Sequence, residues 1–201
     1  MTYNAAQDDI AYLKSLVEGD GGAAGARTFG QIYTAGGIAY GLQTLGHWAQ
    51  GIGYLNLAPL AALALATVPS LVFFAILTAI LWRSRKDSRG GPASKAVQTV
   101  FMATGVANGV LAIAIATVAL RNESMTIWLI YPIVVCVLQG AAWLVSNRWY
   151  QHAWHGVVAA AWFALAIALG FAPDILTFSL LLGMGLIVCM GGPGLVLARA
   201  R

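Results

Sequence analysis

Charge is what this sequence has least of. Only 9% of its 201 residues are Asp, Glu, Lys or Arg, where a water-soluble domain carries about 25% to keep its surface wetted. With 60% hydrophobic residues, the chain has too few polar groups to cover itself, which excludes an ordinary soluble domain. Cysteine is equally scarce: Cys136 and Cys189 both lie inside apolar stretches, where a thiol packs as a small hydrophobe, so no disulfide framework is implied. The first 27 residues hold Asp8, Asp9, Glu18 and Asp20 and no apolar core, so a cleaved secretory leader is not expected. There is no Ser/His/Asp set, no phosphate-cradling loop and no dinucleotide fingerprint. An enzyme is therefore not expected, and no cofactor is implied.

What is present is a series of apolar stretches at 29–48, 57–82, 96–120, 125–145, 154–171 and 175–197. Each is near the ~20 residues that ~30 Å of hydrocarbon demands of a helix. The expected fold is all-α: a polytopic integral membrane protein with a six-helix transmembrane domain over 28–201, preceded by a cytoplasmic segment over 1–27. Ala172-Pro173-Asp174 marks a tight turn between the last two stretches. Ten of the 11 Lys and Arg residues fall on one side if both termini are cytoplasmic, leaving only Arg121 outside. That bias sets the expected orientation, and the Ala- and Gly-rich style points to a bacterial inner membrane. The net charge of +4 then faces lipid headgroups, and no nucleic-acid partner is needed to explain it. Trp48, Tyr54 and Trp128 are expected at the outer headgroup level. Trp82, Trp143, Trp149, Tyr150 and Trp154 are expected at the inner one.

Within the polar N-terminal segment, Ile10, Leu13, Leu16 and Val17 share one face of a short amphipathic helix, followed by a glycine-rich hinge at 19–25. It is the one feature that membrane insertion does not require, so it is the expected docking face for a cytoplasmic protein partner. Gly37/Gly41 and Gly105/Gly109 form two GxxxG motifs in similar surroundings, which suggests three out-and-back helical hairpins. These glycines are expected to pack helices, within one bundle or in a homo-oligomer.

The apolar stretches carry no Asp, Glu, Lys or Arg at mid-depth, which argues against proton-coupled transport. The polar side chains Tyr40, Asn108 and Gln139, the last two the deepest, are expected to hydrogen-bond between helices or to line a cavity for a small neutral solute. His152 and His155 stand one turn apart near the inner mouth and could share a metal. A metal needs further ligands, and no Cys, Asp or Glu lies close by in the sequence, so none is expected. Gly191-Gly192-Pro193-Gly194 is expected to kink or fray the last helix. A regulatory or scaffolding membrane protein is the leading expectation, a channel or transporter for a small neutral solute the second, and a membrane-embedded enzyme the third.

Overall fold

The computed structural model describes residues 21–84 and 92–199, and all regular structure among them is helical. The helices are α1 (Gly21–Gly51), α2 (Pro59–Ser84), α3 (Pro92–Arg121), α4 (Met125–Tyr150), α5 (Ala153–Gly170), α6 (Ile175–Leu186) and α7 (Gly192–Ala198). A π-helical turn, Ile187–Gly191, joins α6 to α7 in one continuous rod. The amphipathic helix expected at residues 8–18, with Ile10, Leu13, Leu16 and Val17, lies outside the described residues. The stretch expected to be a hinge is helical from Gly21 onward. Ala23, Ala24 and Ala26 favour that state, against up to ~1 kcal/mol for each glycine.

Among the described residues, five helical rods are long and apolar enough to cross a membrane: α2, Lys95–Arg121 of α3, α4, α5, and the α6–α7 rod Ile175–Ala198. Their outward faces carry Leu60, Leu71, Ile113, Leu120 and Ile167, each exposed. Such surface is tolerable against lipid and would be an aggregation liability in water. α1 is long enough at 31 residues, but glycines and the side chains of Gln31, Thr34, Gln43 and His47 keep it out of that set.

The helices pack in the order α2, α1, α6–α7, α5, α4, α3. The three sequence hairpins are not equivalent. α3 and α4 pack extensively, whereas α5 touches α6 far less than it touches α4. The α1 contact with the α6–α7 rod is a backbone-to-backbone approach. A Cβ at Gly30 would strike the backbone of Gly194, Leu197 and Ala198, and one at Gly194 would strike Thr34 and the Gly30 carbonyl. Gly37 meets the backbone of Gly191 and Leu186, while Gly41 meets Ile187 and the Gly183 carbonyl. Gly105 and Gly109 of α3 have nothing within 4 Å of a built Cβ, so the second motif packs on nothing among the described residues.

The last helix neither frays nor stops at its glycine-proline run, contrary to expectation. Pro193 has no N–H for the carbonyl four residues back, and its ring would crowd that carbonyl. The helix widens by one residue instead: the Gly192 N–H donates to the Ile187 carbonyl, five residues back. Pro193 then occupies the first turn of α7, where a missing donor is harmless.

Candidate ligand cavity at the basic end of the bundle

The α4–α5 junction builds the site. Gln151 caps α4 in a left-handed conformation (φ 53°) and donates its N–H to the Asn147 carbonyl. His152 follows as the extended residue that opens α5. This short reversal sets His155 one turn into α5, where it faces the last turns of α4. His155 is only 3% exposed, and its Nδ1 shares a hydrogen bond with Ser146 Oγ across 3.0 Å. Its Nε2 is buried without a hydrogen-bond partner. The ring stands edge to face against Trp154, with centroids 4.1 Å apart, and also contacts Trp143, Tyr150 and His152.

Beside this cluster lies a cavity of about 510 Å³. α1 contributes Gly25, Ala26 and Phe29; α3 contributes Val97, Gln98 and Phe101; the end of α4 contributes Trp143, Ser146 and Tyr150. The start of α5 adds His152, Trp154 and His155, and the chain beyond the π turn adds Val196, Leu197 and Arg199. Gln98, His152, Val196 and Arg199 are exposed and form the rim. The remaining wall is mostly aromatic: Phe29 and Phe101 have centroids 4.4 Å apart, and Phe101 meets Trp143 edge to face at 5.6 Å.

Behind that wall runs a buried polar chain. Trp143 Nε1 donates to the Tyr33 hydroxyl at 2.8 Å, and Tyr33 donates to Gln139 Oε1 at 3.0 Å. Each group thereby meets the partner that burial requires. The chain ties α1 to α4 and holds Phe29, which stacks on Tyr33 at 5.0 Å, in the cavity wall.

The polar residues singled out as a possible cavity lining are not joined to one another by any hydrogen bond among the described residues. Gln139 is engaged with Tyr33. Tyr40 packs on Phe73 of α2, centroids 5.2 Å apart. Asn108 keeps a buried Oδ1 with no partner. Gln43 of α1 donates to the Ala66 carbonyl of α2 at 2.7 Å. Trp143, expected as a headgroup anchor, is 1% exposed and belongs to the core, whereas Trp82 and Trp149 are exposed at 74% and 54%. The periodicity of α4 hides this difference, because Trp143 and Trp149 both sit near its C-terminal end and only the approach of α1, α3 and α5 buries one of them. His152 and His155 do lie together, centroids 5.4 Å apart, but among the described residues no group of three His, Cys, Asp or Glu side chains could hold a metal.

Phe29, Phe101 and Ser146 carried no signal as site residues in the sequence, since each reads as an ordinary member of its helix. No protein-family model, no curated protein and no solved structure matches the chain.

Proposed function

We propose that this chain is a non-enzymatic, six-span bacterial inner-membrane protein with both termini in the cytoplasm, acting as a regulator or scaffold for a cytoplasmic partner. α1 serves as the sixth span: Tyr33 bonds α4 and Gln43 bonds α2, while Gln31 and His47 stay exposed. The arginines at the α2, α4 and α7 ends, Arg83, Arg148 and Arg199, fit a cytoplasmic face by the same charge rule that orients the chain. The partner docks on Ile10, Leu13, Leu16 and Val17, directly upstream of α1.

The observation that carries this reading is continuity. Gly25 and Ala26, in the first turns of α1, wall the cavity at the same end of the bundle, so its occupancy bears on the helix that leads into the docking segment. A membrane enzyme would need an acid, base or metal poised at its site, and the imidazole here has Nδ1 engaged with Ser146 and Nε2 buried among rings. A solute channel has weaker support, since Gln43 and Gln139 are consumed in bonds between helices.

Deleting residues 1–20 is expected to strip a specific cytoplasmic protein from the purified chain; an unchanged set of co-purifying proteins rejects the docking role. Reporter tags at the two ends are expected on the same face of the membrane. Substituted cysteines at Tyr40, Asn108 and Gln139 are expected to stay protected from aqueous thiol reagents, and their labelling would favour the channel instead.

A further inference from the structure

The cavity at the basic end has the dimensions of a small-molecule site, which spans roughly 300–1,000 Å³. Its wall has little to offer a polar ligand. Ser146 and the Nδ1 of His155 bond one another at 3.0 Å, the imidazole Nε2 is buried, and Phe29, Phe101, Trp143 and Trp154 present rings. Rings alone would welcome either an apolar body or an organic cation. The rim decides between them: Arg199 lines it, exposed and at the end of α7, and a fixed guanidinium opposes a cation while favouring a carboxylate. Among the described residues it is the only guanidinium in the lining, which suits a single negative charge better than a phosphate.

We propose that this cavity binds small amphipathic organic acids, with a ring-bearing or acyl body against Phe29, Phe101 and Trp154 and the carboxylate at the rim beside Arg199. The two sources of such a ligand are a fatty acid entering from the bilayer and an aromatic acid entering from the aqueous side. The inference goes beyond the regulatory reading and stands without it, because binding is read on the chain alone, with no partner present.

The test titrates the purified full-length chain in dodecyl maltoside with 2-naphthoate and follows quenching of tryptophan emission, to which Trp143 and Trp154 contribute. Saturable quenching is expected. Arg199→Gln is expected to weaken it at least about tenfold, the loss of one charge-assisted hydrogen bond. The neutral 2-naphthamide is expected to bind the wild type more weakly than the acid does, and to bind Arg199→Gln equally well. Ala26→Phe, or Val196→Phe should the first variant not fold by circular dichroism, fills the space and is expected to abolish saturation for both compounds. Displacement of naphthoate by decanoate supports the proposal with the bilayer as a source; failure of decanoate to compete supports it for ring-bearing acids. Absence of saturable quenching in the wild type, equal affinity in Arg199→Gln, or equal affinity for the amide overturns it.

Discussion

α1 and α2 are neighbours in sequence and in space, and they are opposites. α2 is a nearly unbroken apolar rod with no buried residue, its Leu60, Leu71 and Trp82 all turned outward. α1 is too polar and glycine-rich to qualify as a span by composition, yet it touches α2, α6, the π turn and α7, and sends Tyr33 into the core. In water the apolar helix would be the buried one. Against lipid tails, leucine gains nothing by leaving the bilayer for the protein, so close packing and hydrogen bonds decide which helix sits inside. Apolarity measures contact with lipid here, and small or hydrogen-bonding side chains measure contact with protein.

The sharpest way to break that contrast is to thicken the glycine seam. Gly30→Leu and Gly194→Val force backbones apart where no Cβ fits, and each is expected to cost at least about 3 kcal/mol or abolish the folded bundle, the overpacking limit. Thermal unfolding in detergent reads this directly. Leu71→Ala on α2 and Gly105→Ala on α3 are the comparators, expected to stay within about 0.5 kcal/mol of wild type. A large loss at Leu71 would mean that α2 packs on more than α1.

Tyr33→Phe tests the polar half of the contrast. It leaves the Trp143 N–H without its acceptor and Gln139 without its donor, and is expected to cost about 1–3 kcal/mol. The same substitution at Tyr54, 82% exposed in the turn after α1, is expected to be neutral. A neutral Tyr33→Phe would show that the buried chain contributes nothing to helix association.

The smallest expected effect lies at the far end of the bundle. Asp174 caps α6, accepting the Thr177 N–H at 2.9 Å, the Thr177 hydroxyl at 2.9 Å and the Leu176 N–H at 2.8 Å. The Thr177 backbone bond leads in holding its carboxyl below the usual carboxylate range. A depressed pKa in the folded chain means that the cap contributes fully above the unfolded value near pH ~4 and fades as pH falls through the lower folded one. Asp174→Ala is expected to lower Tm slightly at neutral pH, with the two Tm curves converging below pH ~4. A constant gap down to the lowest pH would remove the carboxylate from the explanation.

Particular residues show how far the amino-acid sequence could be read. The stretches at 57–82 and 175–197 correspond to Pro59–Ser84 and Ile175–Ala198 within two residues at each end, because a backbone without water must close its hydrogen bonds internally and only a helix does so within one segment. Pro193 was harder, since proline reads the same whether it ends a helix or follows a π turn. Gly37/Gly41 and Gly105/Gly109 read alike, yet one pair meets a backbone and the other meets open space. His152 and His155 were legible as a pair, but the aromatic walls around them come largely from three other helices with no shared motif.

Length, apolarity and turn residues along the chain determined by themselves which segments become helices and which of them suit a membrane, since those properties belong to one segment and its solvent. Which helices touch was decided only in three dimensions, and with it the burial of Trp143, the glycine seam and the cavity beside His155. Lipid supplies no general force that drives apolar faces together, so partner choice rests on the fit of one helix surface to another, and that fit is a property of pairs of segments that no single segment encodes.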